Sequence, residues 1–161
     1  MEPERFQRQL RFIAELDKLK QVERRTYLLD QSRRETVAEH SWHIAVMALL
    51  LAEYSNAASL DLSKVIRMAL VHDIVEIDAG DTFCYDAQGN ADKAQREQRA
   101  ADRLFGLLPD DQAAETKRTK TVIPAGTYAG QDSDVVTTSL PVVAFATAEV
   151  YARAAESRMA G

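Results

Sequence analysis

The sequence predicts a bundle of helices followed by a tail of different character, and three observations carry this. Apolar residues recur at helical intervals from the N-terminus, and a capping pattern at Thr36 opens a long apolar run. The composition then changes near residue 119. At 161 residues the chain is long enough to bury one core and too short for two ordinary domains, so a single helical core over 1–118 and a divergent tail over 119–161 are expected.

Phe6, Leu10, Ile13, Leu16 and Leu19 or Lys20 are spaced as one apolar stripe, which predicts a helix over 3–20 that packs by that stripe. The basic segment 23–36 breaks the period and contains turn-prone Asp30, Gln31 and Ser32, so it reads as a connection ending in a short arm. Thr36 with Glu39 three residues on is a capping box, and it predicts a helix over 37–55, apolar nearly all round and therefore central. Asp61 or Ser63 starts a third helix, "LSKVIRMALVHDIVEID", which Gly80 can end in a left-handed conformation. "DAQGN" reads as a loop. A fourth helix over 91–109 packs by Leu104, Leu107 and Leu108 and stops at Pro109, and Asp110 to Arg118 start a fifth.

The last 43 residues hold only seven of the 45 Asp, Glu, Lys and Arg residues and are rich in Thr, Val, Gly and Pro. They read as extended segments and loops with one late helix near 144–159.

A net charge of −5 gives no general attraction to nucleic acid, so a phosphate-bearing ligand needs local cations or a metal. Cys84 is the single cysteine, which excludes an intramolecular disulfide and a one-chain thiolate zinc cluster and fits a reducing compartment. The longest apolar run, "IAVMALLLA", is far short of the roughly 20 residues that span a bilayer. With no secretory pattern in "MEPERFQRQLRF", the expectation is a soluble, cytoplasmic protein that binds neither membrane nor nucleic acid.

The chemistry concentrates in few residues. His40 and His43 lie three apart near the start of the second helix, and His72 and Asp73 are adjacent near the end of the third. Adjacent helical residues diverge by about 100°, yet both can reach an ion at that edge if a second helix brings another ligand. Imidazole and carboxylate suit a divalent manganese, cobalt, zinc or iron ion. Glu76 shares the face of His72 and Asp73, and Asp81 follows in a loop that can turn back to the same place. The competing reading is an ordinary solvated face. On it His43 is a packed or solvated residue, Asp78 faces water and Asp86 is a loop acid.

The motifs "VAEHSW" at 37–42, "HD" at 72–73 and "VHDIVEIDAGDTFCYD" at 71–86 resemble those of the HD-domain metal-dependent phosphohydrolases, in the branch related to 5'-deoxynucleotidases. The resemblance covers about residues 5–115 and implies an all-α fold. It implies that His40, His72 and Asp73 ligate a divalent metal with a distant aspartate, and that Glu76 and Asp81 are the catalytic acids. Arg25, fifteen residues before His40, matches an arginine that contacts substrate phosphate, while Thr26 stands where some relatives have tryptophan. Beyond "LFGLLP" the family's acidic, aromatic helix and its alanine-rich helix do not appear, and Asp132 and Asp134 are the only aspartates past Asp111. The resemblance thus implies a homodimeric hydrolase of a small phosphomonoester, a nucleoside 5'-monophosphate first among them. The alternative is an HD domain that binds metal, nucleotide or a partner without turnover.

Overall fold

The computed structural model describes residues 3–55, 60–82 and 91–121. Cys84, Asp86, the "DAQGN" loop, Asp132, Asp134 and the late helix lie outside them. The described residues form helices α1 (Pro3–Leu16), α2 (Val37–Leu51), α3 (Leu62–Val71), α4 (Glu76–Ala79), α5 (Lys93–Phe105) and α6 (Asp110–Thr121). A short hairpin, β1 (Glu23–Tyr27) with β2 (Arg34–Thr36), precedes α2. The fold is therefore all-α apart from that hairpin. None of the described helices is long and apolar enough to cross a membrane.

The core is built where α5 packs against α1, α4 and α6. Leu104 and Phe105 are fully buried, and Phe12, Ile74, Val75, Ala79, Ala100, Ala101 and Leu108 close around them. Leu107 packs only partly against this cluster, because the chain turns out of α5 at Gly106. A second, smaller cluster lies between α2 and α3, where Met47 and Ala48 meet Ile44, Leu51 and Val65.

Four expectations change. First, α1 ends at Leu16 and the chain tightens into a 3-10 turn, Asp17–Gln21. Its core face is Phe12, Leu16 and Leu19, while Phe6, Leu10 and Ile13 are exposed. The helix carries two stripes with the same four-then-three spacing, and the one facing α5 is the one that is buried. Second, segment 23–36 is not a plain connection. β1 and β2 pair antiparallel with Glu23 opposite Thr36 and Tyr27 opposite Arg34, so β1 carries extra residues between the paired positions, as in a bulge. The turn is closed by Leu28 N–H donating to Arg33 O at 2.9 Å, with Asp30 accepting from Ser32 N–H at 3.0 Å and Gln31 at φ 59°.

Third, the expected single helix to Asp78 is broken after Val71. Ile74 N–H bonds to Val71 O and Glu76 N–H to Asp73 O, three residues back rather than four, before α4 resumes. Gly80 ends α4 with φ 71° as anticipated, but its ψ of 154° is extended rather than left-handed helical. Fourth, α2 is not enclosed: it packs on α3 by one side, and Trp42, Leu49 and Leu50 are exposed on the other.

Candidate metal centre

The hairpin, the first turn of α2 and the break after α3 converge on one polar cluster. His40 is set by the α2 N-terminus, which both capping-box bonds fix: Glu39 N–H donates to Thr36 Oγ1 at 3.3 Å and Thr36 N–H to Glu39 Oε2 at 2.9 Å. Arg33 and the Thr36 N–H hold the Glu39 carboxyl down at about 2. His72 caps α3, and the tight turn after it places the Asp73 carboxylate beside its own ring, Oδ2 lying 3.0 Å from His72 Nε2. One ligand atom from each of His40, His72 and Asp73 lies within 4.8 Å of the other two.

Both histidines have Nδ1 occupied. His72 Nδ1–H donates to Ala69 O at 2.8 Å, and His40 Nδ1 lies 3.2 Å from Glu35 Oε1. Nε2 is then the ring atom left for a ligand on each. Two lone-pair carriers as close as His72 Nε2 and Asp73 Oδ2 require a cation between them, a proton or a metal ion. Two imidazoles and a carboxylate, all partly shielded from water, are a donor set that fits a divalent ion of the manganese-to-zinc range.

Glu76, at the start of α4, is 5% exposed, and among the described residues its Oε2 has no hydrogen-bond partner. Burial and the nearby Asp73 charge push its carboxyl up to about 8. Burial acts the same way on Asp73, but the contact with His72 and the Arg24 charge outweigh it and hold that carboxyl well below the usual range. His72 is raised: burial disfavours its charged form, and Asp73 more than compensates. Asp81, turned back by Gly80, accepts from Arg25 N–H at 3.3 Å.

Arg25 itself is exposed, and the cation that the acids surround is its neighbour Arg24. Arg24 Nη1 donates to Asp73 Oδ2 at 2.9 Å and lies 3.6 Å from Asp81 Oδ1 and 3.9 Å from Glu76 Oε2, while its Nε is 3.7 Å from Glu35 Oε1. Successive strand residues point to opposite faces, so recognition of the hairpin was the signal that could have placed Arg24 among the acids. Glu35, which no motif or spacing singles out, is the other residue missed. His43 stacks on Trp42, 6.1 Å between ring centroids, outside the cluster, and Asp78 is exposed and paired with Arg103.

Residues 16–122 match the HD domain family, and the chain belongs to it. Among solved structures it is similar to the crystal structure of a predicted metal-dependent phosphohydrolase from Magnetospirillum magnetotacticum, with a TM-score of 0.67 and 57% identity, covering 73% of this chain and 59% of that one. It is also similar to the 5'-deoxynucleotidase HDDC2 of Xenopus laevis, 34% identical over 107 residues, which are 66% of this chain and 51% of the relative. The 5'-deoxynucleotidase of Erwinia tasmaniensis is 33% identical over 107 residues, 62% of this chain and 54% of the relative. The chain spans about half the length of the curated relatives it matches.

Proposed function

We propose that this chain is a metal-dependent phosphohydrolase that releases phosphate from a small phosphomonoester, a nucleoside or deoxynucleoside 5'-monophosphate first among them. The observation that carries the reading is the convergence of His40, His72 and Asp73, beside a buried Glu76 oxygen that has no hydrogen-bond partner among the described residues. His40, His72 and Asp73 would hold a divalent ion, which would supply charge to polarise a phosphoryl oxygen and acidify a water. His40 and His72 offer Nε2, and Asp73 offers Oδ2. Glu76 and Asp81 carry protons, one taking the proton of the attacking water and the other supplying the leaving oxygen. Arg24 is the half-buried cation available to offset phosphate charge, and Arg25 stands next to it at the rim, its backbone tied to Asp81.

The ion is proposed to be manganese, cobalt, zinc or iron. On the family resemblance the protein is proposed to be a cytoplasmic homodimer. A second reading, an HD domain that binds metal, nucleotide or a partner without turnover, is favoured by one observation: among the described residues no fourth side chain joins the three ligands.

Metal analysis of the purified protein, together with phosphate release from a panel of nucleoside monophosphates under manganese or cobalt, tests both readings. Bound metal and turnover that disappears in His72→Ala support the hydrolase. Bound metal with no turnover supports the second reading, and no metal with turnover unchanged in His72→Ala overturns the first.

A further inference from the structure

Glu35 is a carboxylate on a two-stranded hairpin at the protein surface, yet it is only 3% exposed. It alternates inward between exposed Arg34 and half-buried Thr36. A buried carboxylate costs several kcal/mol unless its oxygens are partnered, so its contacts indicate what it is there to do. Its Oε1 takes Thr26 Oγ1–H at 2.5 Å and lies 3.2 Å from His40 Nδ1. Arg24 comes no closer than 3.7 Å, and Arg24 Nε has no hydrogen-bond partner among the described residues. Pairing with Arg24 is therefore not what sets the geometry: Thr26 anchors the carboxylate and His40 is what it holds.

His72 provides the comparison within the same cluster. Its Nδ1 donates to a carbonyl of its own helix, Ala69 O, so the backbone fixes the proton position and turns Nε2 outward. His40 has a carboxylate from another element in the same role. A histidine that donates its second N–H to a carboxylate has one fixed tautomer, a fixed ring orientation and a more basic ligand nitrogen.

We propose that Glu35 is the positioning residue of the metal centre, holding His40 with its proton on Nδ1 so that Nε2 is committed to the ion beside His72 and Asp73. The proposal rests on the metal-centre reading above. Glu35 touches neither substrate nor ion, and its effect is exerted through His40.

The test pairs two measurements on the full chain. Nitrogen-15 imidazole spectra of the wild-type protein, freed of metal and recorded above the imidazole titration, should place the His40 proton on Nδ1. Cobalt(II) affinity, measured by chelator competition on wild type and Glu35→Gln, should fall about 10- to 100-fold in the variant, with His72 Nδ1 still protonated and the helical circular dichroism unchanged. A wild-type His40 protonated on Nε2 overturns the proposal and needs no variant to fold. Equal cobalt affinity of wild type and Glu35→Gln also overturns it while leaving the metal centre standing. Failure of the wild-type chain to bind cobalt removes the metal centre and this proposal together, and is distinguished from the previous result by the wild-type arm alone.

Discussion

Replacing Arg24 by Met leaves the hydrocarbon stem and deletes a guanidinium that pairs with Asp73 and Asp81 together. The Arg24 side chain is 19% exposed, so water screens it only in part. At an effective dielectric of about 20, the 2.9 Å contact with Asp73 amounts to about 6 kcal/mol before solvation is counted, and that with Asp81 at 3.6 Å to about 5. Glu76, raised to about 8, is mostly neutral at pH 7 and adds little. Desolvation of the guanidinium offsets much of this attraction, and breaking a buried pair from one side leaves a net loss of about 3–5 kcal/mol. The partial exposure places the expectation at the lower end, about 3 kcal/mol at pH 7. Urea unfolding of chelator-treated wild type and Arg24→Met reads this as a shift in midpoint at constant slope. Excess manganese should at least halve the difference, because an ion on His40, His72 and Asp73 takes over neutralisation of Asp73. A loss below about 1 kcal/mol without metal, or an identical loss with and without manganese, refutes the idea that Arg24 and a metal ion neutralise the same carboxylate.

Two further predictions concern the frame of the site. Gly80, at φ 71° and ψ 154°, sits in a region that only glycine enters readily, and a Cβ there would meet no atom within 4 Å. Gly80→Ala should thus cost about 1–3 kcal/mol of backbone strain alone in thermal unfolding, and Gly80→Asn should do no better, since asparagine favours the left-handed helical region instead. An asparagine variant as stable as wild type would contradict this. Asp111 takes two bonds from Arg5, each 2.8 Å, and these hold its carboxyl down at about 2 against an ordinary 3.8. A depressed carboxylate stabilises the fold above its unfolded pKa and loses that contribution as pH falls through the folded one. The gap in urea midpoint between wild type and Asp111→Asn should therefore be constant above about pH 5, close as pH approaches 2, and narrow in high salt. A gap that persists at pH 2 would sink the assignment.

What could be read from the sequence was what depends on near neighbours. The start of α2 follows from Thr36 and Glu39, three residues apart, and both capping bonds are present. Asp61 caps α3 by accepting from Lys64 N–H at 3.0 Å, again a local bond. The proximity of His40, His72 and Asp73 is implied by the resemblance of "VAEHSW" and "HD" to the family motifs, not by local spacing. The hairpin could not be anticipated, since "ERRTY" and "RET" are mostly charged and their pairing depends on residues on the far side of a turn. That single omission hid both Arg24 and Glu35: without strand parity, Arg24 and Arg25 are equivalent cations, and a buried acid in "RRET" looks like a solvated one. The face of α1 was misjudged for a related reason. Two stripes of equal spacing compete, and only the position of α5 decides between them.

The break after Val71 joins the core to the chemistry. In a continuous helix the side chains of His72 and Asp73 would leave the axis about 100° apart. Bonds three residues back tighten the turn, so the two side chains meet at 3.0 Å, while Ile74 and Val75, the next two residues, point the other way into Leu104 and Phe105. Ile74 is 5% exposed and Val75 1%, so this turn is anchored in the core. Gly80 then reverses the chain and returns Asp81 to the hairpin, where it meets Arg24 and the Arg25 N–H. The alternation of apolar and acidic residues in "VHDIVEIDAGD" therefore does not mark a half-buried helix with a wet face. It describes a chain that crosses the boundary between a dry core and a charged centre, and a cavity cut in that core at Leu104 would loosen the ligands as well as the fold.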